Sequence, residues 1–313
     1  MPLLCNYYVT LRCNSRCTFC NIWQNKDNFK LREQTLDEVE ANLKDLKRLG
    51  VKFIDFTGGE PLLYPKIVEA LKLSKKYGFL NLLTTNGTLY PKYAEQLKGL
   101  VDILTVSLDS PVESEHNEIR GINCYSKVIE SIKLAKRIGQ KIRILHTVTN
   151  DNYKQLSRMV KFAQKNKCIL EINPCFEYFG NEKISKEAIM EVKKYDGAPY
   201  TMQDSAYVRL ILDGGNKISN PVCKAVSSTV VISPDNYLLL PCYHHASSKI
   251  KINKDLFKIY NSDKVKAFKN MEGKFPFCNN CTITCYMRTS LFRRYPLEYV
   301  KYGVNIIKNW LKR

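Results

Sequence analysis

Short runs rich in β-branched and aromatic residues alternate with amphipathic segments from residue 5 to about residue 175. That alternation predicts βα units and hence a parallel sheet. Six strands are expected, over Cys5 to Leu11, Val51 to Thr57, Phe79 to Thr85, Val101 to Leu108, Lys141 to Thr149 and Cys168 to Asn173. The first helix is the best marked. Thr35 and Glu38 have capping-box spacing, Leu36, Val39, Leu43 and Leu46 recur at helical intervals, and Gly50 stops it. A second helix is expected from Pro65 to Gly78, and another carries Val128, Ile132, Ala135 and Ile138 ahead of Gly139.

Beyond about residue 180 the rhythm breaks. Residues 228–242, STVVISPDNYLLLPC, read as a hairpin turning at Pro234, Asp235 and Asn236. The expected fold class is therefore α/β, with an open sheet or partial barrel followed by a small α+β, hairpin-containing, cysteine-rich domain. The expected divisions are residues 1–180, 181–290 and a terminal basic helix over 291–313.

Composition narrows this picture. At 313 residues, with 44% hydrophobic and 25% charged positions, the chain can bury a core throughout, which argues against disorder. Its opening residues lack the pattern of a secretory leader, and no run of about 18 apolar residues follows, so a cytoplasmic protein is expected. Twelve cysteines in that compartment point to metal or cluster binding rather than disulfides. The formal net charge of +19 comes from scattered lysines, so nucleic acid is not the expected partner.

Cys13, Cys17 and Cys20 have the spacing C-x3-C-x2-C in the loop that leaves the first strand. Thiolates so spaced can converge on one soft metal centre, and cysteine is the usual ligand of iron-sulfur clusters. Three ligands would leave one iron of a four-iron cluster open, the mark of a reactive rather than a structural site. Zinc completed by a distant residue is the competing reading.

This stretch, with Phe19 just before the last cysteine, resembles the signature of the radical S-adenosylmethionine (radical SAM) superfamily. Thr57 to Leu63, TGGEPLL, is similar to that superfamily's glycine-rich SAM motif. The resemblance covers about residues 5–175 and implies a partial (β/α)6 TIM-like barrel. It also implies a [4Fe-4S] cluster on the three cysteines whose fourth iron is chelated by SAM. In the family the reduced cluster cleaves SAM to a 5′-deoxyadenosyl radical that abstracts a substrate hydrogen. Gly58 and Gly59 would let backbone approach the cofactor, and Glu60 would face its ammonium. The same resemblance places Ser107 and Asp109 on the ribose and Asn86 near the site.

Cys223, Cys242, Cys278, Cys281 and Cys285 form a second set. By spacing alone, four of these thiolates could close a tetrahedral zinc site or ligate a second [4Fe-4S] cluster. A cysteine, a hairpin ending in a cysteine and a later C-x2-C resemble the Twitch domain, the shortened relative of the SPASM domain. The resemblance implies one auxiliary [4Fe-4S] cluster on Cys223, Cys242, Cys278 and Cys281, with Cys285 as the alternative ligand. Cys168 is expected in the core, and Cys175 is expected to pack rather than face the site. Near the end, Leu297, Val300, Val304, Ile307 and Leu311 share one helical face, opposite Lys301, Asn305, Lys308 and Lys312, with Tyr302 and Trp310 widening the apolar side. Such a helix would dock on the barrel or touch a membrane peripherally.

The resulting expectation is a radical SAM enzyme with two clusters, oxidising a peptide, sugar or other small molecule with electrons handled by a flavodoxin or ferredoxin. Redox-neutral modification of a lipid or isoprenoid at the membrane is the alternative. From another class, a zinc-bearing basic nucleic-acid binder is the contrast.

Overall fold

The computed structural model describes residues 1–178 and 180–311; Lys312 and the side chains of Trp310 and Leu311, named above for the terminal helix, lie outside the described residues. Seven parallel strands follow one another in chain order: β1 (Leu4–Thr10), β2 (Phe53–Gly58), β3 (Leu80–Thr85), β4 (Ile103–Ser107), β5 (Ile142–Val148), β6 (Ile169–Pro174) and β7 (Thr201–Gln203). The first six lie within two residues of their expected bounds. The three-residue β7, paired to β6 through Leu170 opposite Thr201, is an addition too short to carry a periodic signal.

Helices α1 (Leu36–Arg48), α2 (Ile67–Lys76), α3 (Tyr90–Leu97), α4 (Glu113–Arg120), α5 (Tyr125–Arg137) and α6 (Leu156–Asn166) occupy the crossovers. The capping box of α1 forms as expected: Glu38 N donates to Thr35 Oγ1 at 3.3 Å, and Thr35 N donates to the Glu38 carboxylate at 2.9 Å. Alternation along each strand divides its side chains between two surfaces. Tyr7, Ile54, Phe56, Leu83, Leu104, Val106, Ile144 and Leu170 are buried in the principal core. Their sequence neighbours Asn6, Tyr8, Asp55, Thr57, Thr84, Thr105, Arg143 and Glu171 line an interior cavity instead.

The expected hairpin is β8 (Thr229–Ile232) and β9 (Tyr237–Leu240), followed by β10 (Ser248–Lys251). It does not stand apart from the barrel. β8 pairs in parallel with β1, from Leu4 opposite Thr229 to Tyr7 opposite Ile232, giving one ten-stranded sheet in the order β10-β9-β8-β1-β2-β3-β4-β5-β6-β7. The cysteine-rich region and the barrel thus share one hydrogen-bonded framework. Asn236 adopts the left-handed φ of 67° that the turn requires, while its Oδ1 accepts from Asn42 Nδ2 of α1 at 2.9 Å.

Candidate active site

Loops after β1, β2, β3 and β4 meet at the carboxyl end of the sheet, where parallel strands collect functional groups. The loop bearing Cys13, Cys17 and Cys20 is pinned to the end of α4, because Arg16 N donates to Arg120 O at 2.9 Å and Thr18 N to Ile119 O at 3.0 Å. Gly121 permits this approach: a Cβ there would lie 2.6 Å from Arg16 O. The three thiols line a cavity of about 160 Å³ together with Phe19, Gly58, Gly59, Asn86, Ser107 and Arg120. Burial pushes the Cys13 thiol up to about 12 and raises Cys20 as well, so thiolates here call for a positive partner.

The glycines are required by the backbone. A Cβ on Gly58 would sit 1.9 Å from Thr10 O, and one on Gly59 would sit 2.3 Å from Arg12 O. Their closeness lets Gly59 N donate to Thr10 O at 3.0 Å and Glu60 N to Arg12 O at 2.8 Å, fastening the β2 loop to the cysteine loop.

Glu60 and Asp109 stand behind the cavity wall rather than on it. Glu60 is fully buried; its Oε1 accepts from Leu62 N and Thr85 Oγ1, and its Oε2 accepts from Asn86 N at 2.7 Å. Burial raises its carboxyl to about 7 against those three donors, and Oε2 keeps room for a further donor. Asp109 is also fully buried, with Oδ2 2.6 Å from Arg120 Nη2 and Oδ1 accepting from Thr147 N at 3.0 Å. Its carboxylate is thus engaged by Arg120 and Thr147 N. Asn86 likewise spends its side chain on protein, donating to Asn14 Oδ1 and Ser15 Oγ. Ser107 lies on the cavity wall.

Arg120 is the principal residue that sequence reasoning missed. Its Nη1 lies 3.4 Å from Cys17 Sγ, and its guanidinium sits 5.5 Å from the Phe19 ring centroid. Only its place in a short helix of ordinary polar composition was visible in the sequence. Cys175 is half-buried, and Cys20 is among the charges acting on it, so it adjoins the first site.

In the second set, burial raises the Cys223 thiol, and the charges of Cys281, Cys242 and Cys278 add to that rise, so the four share one neighbourhood. Fully buried Asn216, also missed from the sequence, organises them. Its Nδ2 donates to Cys278 O at 2.9 Å, its Oδ1 accepts from Cys223 N at 3.1 Å, and its own N donates to Cys281 O at 2.9 Å. Cys285 turns elsewhere, onto the interior cavity with Asp55 and Arg288. Among the described residues no three His, Cys, Asp or Glu side chains gather closely enough for one metal ion. The two sets are neighbours, since Tyr243, next to Cys242, stacks on Tyr8 at 4.2 Å and feels the charge of Cys20.

Comparison with known proteins agrees with this geometry. The radical SAM superfamily profile matches residues 7–163. A probable GTP 3′,8-cyclase of Pyrococcus horikoshii is 31% identical over 166 residues, covering 52% of this chain and 53% of that relative. One from Sulfurisphaera tokodaii is 27% identical over 267 residues, covering 78% and 82%. The chain spans about half the length of the first of these curated relatives. Among solved structures, Streptococcus suis SuiB bound to S-adenosylmethionine superposes with a TM-score of 0.69 at 21% identity, covering 90% of this chain and 69% of SuiB. Native anSMEcpe with bound AdoMet superposes with a TM-score of 0.66 at 19% identity over 100% of both chains. These superpositions speak for the fold.

Proposed function

Because this chain belongs to the radical SAM superfamily, and is an enzyme that uses a [4Fe-4S] cluster with S-adenosylmethionine, we propose that Cys13, Cys17 and Cys20 hold that cluster and that the adjoining cavity receives SAM. When bound, the pair supplies a 5′-deoxyadenosyl radical able to remove a substrate hydrogen atom. The chain's residues prepare the place for it. Gly58 and Gly59 let the β2 loop close on the cysteine loop beside the cavity, Ser107 offers a hydroxyl to the cofactor, and Glu60, behind the wall, fixes Asn86 N and Thr85 at its edge. Arg120, held by Asp109, sets a fixed positive charge beside Cys17, which favours added electron density on the cluster. Phe19 covers that guanidinium and limits water.

The second part of the proposal is an auxiliary [4Fe-4S] cluster on Cys223, Cys242, Cys278 and Cys281. The mutual influence of these four thiols, organised around Asn216, supports a shared centre. Cys285, on the interior cavity, is read as outside the ligand set. A closed cluster so near the first site is suited to accept an electron from a substrate radical, so the reaction is read as net oxidation. The polar interior favours a peptide, sugar or other polar small molecule over an isoprenoid, because charged walls against an apolar chain would lose hydration without replacement. A flavodoxin or ferredoxin would supply electrons.

The observation that carries this reading is the meeting of three thiols, two obligatory glycines and one buried arginine on one cavity. Its test is anaerobic reconstitution followed by reduction with dithionite and SAM. The expected protein holds about eight irons and forms 5′-deoxyadenosine, and Cys17→Ala abolishes that product. A Cys17→Ala protein that still forms 5′-deoxyadenosine would overturn the first site. Retention of about eight irons in Cys242→Ala would overturn the second.

A membrane-surface contact is supported by one further observation. The helix Pro296–Leu311 docks through Tyr302 and the Asp196 contacts of Lys301 and Asn305, yet leaves Leu297, Val300, Val304 and Ile307 exposed in a row. With Arg293, Arg294 and Lys308 close by in the chain, an anionic lipid surface is the complementary occupant. No helix among the described residues is long and apolar enough to cross a membrane.

A further inference from the structure

Barrel strands buried on both faces usually carry near-continuous apolar runs. Here the inward positions carry Asp55 on β2, Arg143 on β5 and Glu171 on β6, and Arg288 enters from the segment after the second cysteine set. Together they line a cavity of about 380 Å³. Thr57 and Thr84 line both this cavity and the one bearing the three thiols, so the two spaces share a wall.

The charges in this chamber pair unevenly. Glu171 lies 3.6 Å from Arg143 and 3.3 Å from Arg288, and Arg288 Nε lies 3.3 Å from Asp204. Glu171, and Asp204 from outside the chamber lining, thereby engage the two guanidinium groups. Asp55 is the carboxylate left over: among the described residues it has no ion-pair partner, and its buried Oδ1 accepts no hydrogen bond. Burial, with the Glu171 charge adding to it and the Arg288 charge opposing it, raises its carboxyl to about 7. A carboxylate oxygen shut off from solvent without a donor costs stability unless a ligand supplies one.

We infer that the chamber is the substrate site and that Asp55 receives a cationic nitrogen of the substrate, such as a protonated amine. This rests on the radical SAM reading above and adds the chemical class of the ligand. The volume suits a small molecule or one long side chain of a peptide. Cys285 opens on the same space and reports on it.

The test labels Cys285 in the cluster-loaded protein at mildly alkaline pH with two methanethiosulfonate reagents, one bearing trimethylammonium and one sulfonate. Each forms a mixed disulfide with the thiolate and releases methanesulfinate. Rates are read by mass spectrometry at Cys285 and divided by those for a free thiol in solution. The cationic reagent is expected to be favoured by roughly tenfold in the wild type, as an uncompensated local charge in a partly dehydrated site implies. Asp55→Asn should remove the preference and Asp55→Glu should keep it, so a preference in both charged forms supports the assignment even if the amide variant fails to fold. No preference in the wild type, an unchanged preference in Asp55→Asn, or a Cys285 inert to both reagents would each overturn it. Wild-type 5′-deoxyadenosine formation without substrate reads the cofactor site separately. Its presence alongside a failed charge preference rejects the chamber alone, and its absence rejects the underlying reading.

Discussion

Arg120 Nη2 lies 2.6 Å from Asp109 Oδ2, and both side chains are buried beneath the first cysteine loop. One end of the guanidinium is thus spent on a carboxylate while the other reaches Cys17 Sγ at 3.4 Å. Arg120→Leu would leave Asp109 buried without its counter-charge. The expected cost is about 3–5 kcal/mol, read by chemical denaturation. Arg120→Lys keeps a charge but loses the planar fork, so it should cost less. Loss of positive charge beside the sulfur should also move the midpoint potential of the first cluster to a more negative value, read by potentiometric EPR. An unchanged potential in a folded Arg120→Leu protein would show that the arginine is structural only.

Glu38 closes the capping box of α1 and also pairs with Arg32 at 2.8 Å. The Arg32 hydrogen bond, with help from Thr35 N, holds its carboxyl at about 2, against burial. Since the folded value lies below the unfolded one near 4.3, the contribution is complete above that pH and lost as pH falls toward 2. Glu38→Gln should lower stability by about 1–2 kcal/mol at neutral pH. The gap should close as denaturation is repeated at pH values below the unfolded carboxylate range, and a gap constant across that window would count against the assignment.

How much of this was legible in the chain depends on whether the information was local. The first six strands, the α1 cap and the first cysteine spacing are contiguous patterns, and the three thiols of that spacing line one cavity. Arg120 and Asn216 were invisible because their roles come from distant partners: Cys17 lies 103 positions from Arg120, and Cys278 lies 62 from Asn216. The Asp109 pair with Arg120 was hidden for the same reason, since its partner lies on the following helix. The chamber left a mark that could have been used. FIDFTG, IRILHTV and ILEINP each set a charge at an inward position of an otherwise apolar strand, which a packed interior would not tolerate unpaired.

The glycine loop gives a prediction with an internal control. Gly59→Ala would drive a methyl group against Arg12 O, which must move and release the Glu60 N hydrogen bond. A loss of about 1–3 kcal/mol is expected, together with weakened SAM binding by equilibrium dialysis on the loaded enzyme. Gly303→Ala, in the terminal helix where a Cβ meets nothing within 4 Å, should instead raise stability by up to about 1 kcal/mol. Equal effects at the two positions would show that the close backbone contact is not what the motif protects.

The terminal helix supplies the last prediction. Leu297 is 81% exposed and Ile307 60%, values that a helix docked by its whole apolar side would not show. Its anchoring instead runs through Tyr302 and the Asp196 contacts, leaving the aliphatic row outward beside basic residues. Burying one such side chain in a lipid interface is worth about 1.5–3 kcal/mol, so Leu297→Glu or Val304→Glu should each weaken vesicle binding by about tenfold or more. Co-sedimentation with phosphatidylserine-containing vesicles should show this, whereas phosphatidylcholine vesicles should retain little protein even in the wild type. The glutamate variants touch only the outward row, so 5′-deoxyadenosine formation in solution should persist and mark the protein as folded. If they partition onto anionic vesicles as the wild type does, the exposed row has no part in membrane contact.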